Sequence, residues 1–304
     1  MPDYLKLPPE RDYGFYQRRK HDKWRAVDAP VLEAPVADSH AHIHMLPDPA
    51  WELKRCAANG VDFVCEICDP SEDGTRPFSK LEEWMQGSGV DVHIAVGVHP
   101  HNAKLYDDAI EQELLGRLED VRVVALGEIG LDYHYDLSPR DVQRKVFLRQ
   151  IVLAEEAGLP IALHLRGGED SDCDNAHREA FSILRDMDAL GPNTLLHCCA
   201  LPPDEIAPWI EAGCYIAYGG AVTFRNAEAA REGARLVPEE RLMLETDSPY
   251  MTPEPMRGAA CTPAHVVFTA AAMADVRGVA PGDARRTFLQ QLHDNTLEFY
   301  CVQQ

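Results

Sequence analysis

The chain has 304 residues, 45% hydrophobic and 26% charged, the make-up of a water-soluble globular protein with material for a large core. Its formal net charge is −21, which sets it against polyanions, because affinity for nucleic acid rests largely on Lys and Arg meeting phosphates. No apolar run reaches the roughly 20 residues that span a bilayer, and the start of the chain lacks the apolar core of a secretory signal, so a cytoplasmic protein is expected.

Residues 1–35 are rich in Pro, Tyr and charge, with a basic cluster at Arg18, Arg19, Lys20, Lys23 and Arg25. They read as an N-terminal extension, irregular or a short helix, ahead of a domain over 36–304. From residue 36 a strand–loop–helix rhythm recurs about every 30 residues. The strand candidates are Pro35 to His44, Val61 to Cys68, Val92 to Pro100, Val121 to Leu131, Leu159 to Leu165, Thr194 to Cys199, Cys214 to Phe224 and Arg241 to Asp247. The clearest helix runs from Ser138, as N-cap, with Pro139 in its first turn, to about Ala157 before Gly158 and Pro160. Eight strands alternating with helices, without tight hairpin signals, predict parallel βαβ units closed as a (β/α)8 TIM-type barrel. An open doubly wound sheet is disfavoured because no Gly-rich phosphate loop follows the first strand.

Nine cysteines are scattered along the chain. Cys65 and Cys68 make a C-x-x-C inside a strand, where residues three apart face opposite ways and cannot grip one ion. They are expected to be reduced and mostly buried.

Chemistry collects at the ends of the strands. His40 and His42, two apart, project from the first; His99 ends the third, Glu128 lies in the fourth, His164 in the fifth, His197 in the sixth, and Asp247 closes the eighth. In a barrel these ends meet on one face. Leaving His99 aside, four imidazoles and two carboxylates without a thiolate suit Zn, Mn or a similar cation and exceed what one tetrahedral ion needs. Two divalent metal ions bridged by a carboxylate explain the surplus.

These residues carry a signature. Asp38-Ser39-His40-Ala41-His42, Gly97-Val98-His99-Pro100-His101, Gly127-Glu128-Ile129-Gly130-Leu131-Asp132-Tyr133, Gln143-Arg144-Lys145-Val146-Phe147, Pro160 through His164 to Arg166, Leu196-His197-Cys198 and Glu245-Thr246-Asp247-Ser248-Pro249-Tyr250 follow one another in order. Together they resemble the TatD-like deoxyribonucleases, metal-dependent hydrolases of the amidohydrolase-like superfamily. The resemblance implies that His40, His42 and Asp247 hold one ion (Zn, Mn or Mg), that His164 and His197 hold the other, and that Glu128 bridges. It implies hydrolysis of a phosphodiester by a metal-activated water whose proton goes to Asp247, with DNA the default substrate. His99 and Arg166 stand where a donor could meet a phosphate oxygen or support a ligand, and Glu245 where it could position one. Tyr133, His101 and Tyr250 are candidate rim residues for stacking on a base.

The chain departs from the family where Cys-Phe-Ser-Gly becomes Cys198-Cys199-Ala200-Leu201. A second departure follows Arg257-Gly258, where Lys-Arg-Asn-Glu-Pro becomes Ala259-Ala260-Cys261-Thr262-Pro263. The segment after His164 is acidic, with Glu169, Asp170, Asp172 and Asp174. These changes leave the metal set whole and thin the basic rim. A small phosphoester, an amide or a lactone is therefore the alternative substrate, and a non-catalytic metal-binding protein the alternative of another class. Neither a membrane nor an obligate protein partner is implied.

Overall fold

A computed structural model describes residues 12–168 and 175–302. The acidic residues Glu169, Asp170, Asp172 and Asp174 lie outside the described residues.

The chain starts on two short strands, β1 (Phe15–Arg19) and β2 (Lys23–Val27), paired antiparallel. This hairpin stands where an irregular arm or short helix is expected. Its turn hides the pairing from the sequence: His21 and Asp22 take positive φ (61° and 52°) without the glycine or asparagine that normally announces it. Phe15 anchors the hairpin edge-on against Phe268, ring centroids 4.8 Å apart, and Arg55 donates to the Gly14 carbonyl at 2.7 Å.

Eight parallel strands follow: β3 (Val36–Ala41), β4 (Val61–Cys68), β5 (Asp91–Val96), β6 (Val123–Asp132), β7 (Ile161–Arg166), β8 (Thr194–Leu196), β9 (Tyr215–Tyr218) and β10 (Leu242–Leu244). Each pairs with the next, as short βα units require. The first and last are linked by the Asp247 amide donating to the His40 carbonyl at 2.9 Å and by a parallel bridge between Ala41 and Ser248. This is the (β/α)8 barrel. Strand candidates overran where polar loop residues continue an apolar run: the last ends at Leu244, short of Asp247.

Around the strands lie α1 (Pro49–Ala58), α2 (Arg76–Met85), α3 (Asp108–Leu118), α4 (Arg140–Ala157), α5 (Ala176–Asp186), α6 (Pro203–Glu211), α7 (Glu228–Leu236), α8 (Val266–Val276) and α9 (Asp283–Phe299). Alternation along the strands divides the core in two. An inner core of mostly small residues, Ala37, Cys65, Ala95, Ala125, Ala162 and Ala217, is filled out by Phe63, Tyr215 and Met243. The end of α9 closes the lower mouth with Phe299 and Tyr300, the latter donating to the Ser39 carbonyl at 2.7 Å. The outer core, between strands and helices, holds Val64, Cys68, Val92, Ile94, Phe147 and Trp209. Cys65 and Cys68 thus fall on opposite faces of β4. All the described cysteines are free thiols, and six of them are buried.

Helix α4 holds the upper rim in register. Gln143 and Gln150, two turns apart on its buried face, bond backbone rather than side chains. Gln150 accepts from the Val98 amide at 2.7 Å and donates to its carbonyl at 3.0 Å; Gln143 accepts from the Asp132 amide at 2.8 Å and donates to its carbonyl at 3.1 Å. Ser138 is not the N-cap. Its hydroxyl accepts from the Lys104 amide and donates to the His101 carbonyl, tying the two rim loops together, and the N-cap is Pro139.

Candidate metal centre

The upper mouth gathers the residues that the sequence scatters over 208 positions. His40 and His42 leave β3, Glu128 lies in β6, His164 in β7, His197 follows β8 and Asp247 follows β10. Glu128 is central. Its Oε2 lies 3.5 Å from His40 Nε2 and 3.8 Å from His42 Nε2, and its Oε1 lies 2.7 Å from His164 Nδ1 and 2.9 Å from His197 Nε2. Asp247 Oδ1 completes the first group, 3.6 Å from His42 Nε2 and 4.0 Å from His40 Nε2. The His40 and His197 rings stack 3.9 Å apart between the two groups.

Local backbone makes this convergence possible. Gly130 takes φ +146°, and a Cβ there would sit 2.1 Å from the His164 carbonyl oxygen, so only glycine lets β6 and β7 close up beside the site. Cys198 (φ 47°) and Asp247 (φ 56°) occupy the left-handed region directly beyond their strands, strain that their buried surroundings impose. Asp38 joins both ends of the barrel: its buried carboxylate accepts from the Thr246 amide (2.8 Å), the Thr246 hydroxyl (2.6 Å) and the His40 amide (3.3 Å).

The electrostatics follow from burial and like neighbours. Burial opposes charge on Glu128, yet His197, His40 and two hydrogen bonds hold its carboxyl well below the usual range. Burial and the adjacent His197 push His40 down. His197 goes well up against its burial, because Glu245 and Glu128 face it. Asp247 is lowered against burial by its hydrogen bond to His42 and by the imidazoles around it.

The donor set fits a divalent cation. Both ring nitrogens of the fully buried His40 have no hydrogen-bond partner among the described residues. Leaving such an atom unpaired costs about 1–3 kcal/mol, which a cation on the lone pair of Nε2, the nitrogen that faces Glu128 and Asp247, would remove. The sets His40–His42–Asp247 and His40–Glu128–His197 each bring three ligand atoms within 4.8 Å of one another.

The sequence profile of the TatD related DNase family matches residues 37–300. The chain belongs to the TatD family of metal-dependent hydrolases. It is 32% identical to a Bacillus subtilis (strain 168) protein named uncharacterized metal-dependent hydrolase YabD, over 79% of this chain and 90% of that one. It is 36% identical to the 3'-5' ssDNA/RNA exonuclease TatD of Enterobacter lignolyticus (strain SCF1), over 53% of this chain and 59% of that one. The crystal structure of YJJV, a TatD homologue from Escherichia coli K12, superposes with a TM-score of 0.76 at 26% identity, covering 88% of this chain and 98% of that one.

The family match begins at residue 37, inside β3, so β1 and β2 lie outside it. Other expected residues surround the metal centre. His99 Nδ1 accepts from the His101 amide at 3.1 Å, and its Nε2 lies 3.8 Å from Glu128 Oε1. Arg166 lies over the Tyr135 ring, 4.7 Å from its centroid, on the wall of a cavity of about 600 Å³ that opens onto Glu128. Glu245 accepts from the Cys198 amide at 2.7 Å and lies 3.5 Å from His197 Nδ1. Tyr250 and His101 also line the cavity. Tyr133 does not: it is buried, its hydroxyl bonded to Glu179 at 2.7 Å, because its side chain turns outward under α5 rather than toward the mouth.

Two carboxylates escaped the sequence reading. Asp132 Oδ2 accepts from His101 Nε2 (2.8 Å) and His164 Nε2 (3.1 Å), and Oδ1 from the His134 and Tyr135 amides. Glu66 receives the Ile43 and His44 amides just beyond His42. It also clamps the His44 ring, whose other nitrogen reaches Asp73 at 2.9 Å. Asp132 belongs to the segment from Gly127 to Tyr133, and its place four residues beyond Glu128 on the same strand is the signal that marks it.

Proposed function

We propose that this metal centre holds two divalent cations (Zn2+, Mn2+ or Mg2+) and hydrolyses phosphodiester bonds, with single-stranded DNA or RNA ends as substrate. The observation that carries the reading is the division of labour within Glu128: one oxygen faces His40 and His42, the other His164 and His197. A bridging carboxylate needs that arrangement, and one ion does not. The nucleic-acid substrate is supported by the Enterobacter lignolyticus relative's name.

When bound, the cations would lower the pKa of a water and offset charge on the phosphoryl oxygens. The chain's own residues supply the rest. Asp247, ionised and partly open to the cavity, is placed to orient the attacking water and accept its proton. His99 is neutral, since burial and the nearby His164 push its pKa well down. Because its Nδ1 accepts a backbone amide, its proton sits on Nε2, a donor aimed into the cavity for a phosphate oxygen. Arg166 offers a second, charged donor on the same wall. Glu245 positions His197 through Nδ1.

A small phosphoester is the second reading. Asp69, Glu72 and Asp73 on the cavity wall favour it, since they repel a long polyanion. Incubation of a labelled single strand with Mn2+ beside a chromogenic phosphodiester separates the two: metal-stimulated shortening of the strand supports the first, and hydrolysis of the ester alone supports the second. Neither activity, with metal bound, would leave only a metal-binding protein.

A further inference from the structure

We propose that the hairpin β1–β2 is a phosphate-gripping arm on the catalytic rim, fitted to a single-stranded nucleic acid whose end enters the cavity. The inference rests on the phosphodiesterase reading above and adds a binding surface outside the family's shared 37–300.

Placement comes first. Gln17 donates to the Pro255 carbonyl at 2.6 Å and Arg18 to the Gly258 carbonyl at 3.3 Å. Both carbonyls belong to the loop that leaves Asp247, and Tyr250 and Met251 of that loop line the cavity. The hairpin is therefore fastened to the upper mouth of the barrel.

Charge comes second. Within residues 15–27 stand five of the chain's 29 Lys and Arg residues against a single acid, Asp22, on a molecule of net charge −21. Arg18 is occupied by Asp22 at 2.7 Å and by its docking contact. Arg19, Lys20, Lys23 and Arg25 are exposed.

Register comes third. Arg19 stands directly opposite Lys23, and Gln17 opposite Arg25, so Arg19, Lys23 and Arg25 share one face of the ribbon. Like charges directly opposed destabilise a two-stranded sheet, and nothing in docking the hairpin requires them. A row of phosphates turns that cost into attraction. The occupant is a single strand rather than a duplex because Glu128 lies buried at the base of the cavity, where only one flexible strand end can carry a phosphate to it.

The test uses the full chain and a short fluorescent oligothymidylate, with binding read by anisotropy in EDTA from about 50 to about 250 mM NaCl. Three contacts should give the wild type a salt slope about 2 steeper than Arg19→Ser/Lys23→Ser/Arg25→Ser, at about 0.7 per phosphate, and about tenfold tighter binding at low salt. Arg19→Lys/Arg25→Lys should keep the slope, and a matching thermal midpoint shows that the serine variant folds. Equal slopes for wild type and serine variant would overturn the arm, as would tighter binding to a duplex. A parallel cleavage assay of the wild type in Mn2+ isolates the underlying reading. Cleavage with equal slopes removes the arm alone; a slope difference without cleavage keeps the arm and removes the phosphodiesterase. Wild type that neither binds nor cleaves the strand removes both.

Discussion

Asp132 Oδ2 stands 3.1 Å from His164 Nε2, across the imidazole from the nitrogen that faces Glu128 at 2.7 Å. Asp132 thereby decides which nitrogen of His164 keeps its proton and which is left as a donor pair for a cation. The same oxygen holds His101, and two backbone amides hold the other oxygen, so the carboxylate cannot swing. Burial opposes its charge, but the hydrogen bonds from His101 and His164 hold its carboxyl far below the usual range.

Asp132→Asn should therefore weaken metal binding by about 10–100-fold, because an amide can present its NH2 to His164 and favour the wrong tautomer. Metal titration with the hydrolytic assay checks this. Activity should recover partly at high metal concentration, and an affinity equal to wild type would show that His164 needs no such partner.

Gln150→Leu should lower stability by about 2–4 kcal/mol, since it strands the buried amide and carbonyl of Val98. Urea denaturation measures the loss. Val98 precedes His99, so kcat should also fall; a destabilised variant with unchanged kcat would mean that the rim is held by other contacts.

His293 offers a pH test away from the metal centre. It is buried, which lowers its pKa, yet its hydrogen bond to Asp62 at 2.8 Å outweighs this and raises it above the ordinary value. A raised folded-state pKa means stability that is complete below about pH 6.5 and lost as pH climbs through the raised value. His293→Gln should cost about 0.5–1 kcal/mol at pH 6, a modest figure because Asp62 is half exposed, and the gap to wild type should narrow by pH 9.5. Denaturation midpoints at the two pH values decide it; a gap that widened with pH would reverse the sign.

Metal should leave in acid. Neutral imidazole is the ligand form, so protons compete for His40, His42, His164 and His197 below about pH 6. Elemental analysis after dialysis at pH 7.5 and pH 4.5 should find the metal only in the first sample, and equal content would point to a carboxylate-only site.

Much of the barrel and its rim is legible in the sequence because the same residues report both. An apolar run tends to end in the polar group that its strand delivers to the mouth, as Ile161–Arg166 illustrates with His164 and Arg166. What escaped is held by contacts between distant segments. Asp132 looks like a turn carboxylate until His101 and His164 are seen on it. Gln143 and Gln150 look like polar positions of an amphipathic helix, although their amides are buried against backbone. The hairpin escaped for another reason: Arg18 and Arg19 put charge on both faces of β1, which erases the period of two.

The sharing of Glu128 between two cations is tested most directly by anomalous diffraction from crystals grown with Mn2+. Two peaks are expected, one within about 2.4 Å of His40, His42, Asp247 and Glu128 Oε2, the other equally close to His164, His197 and Glu128 Oε1. A single peak, or peaks held by other side chains, would contradict it.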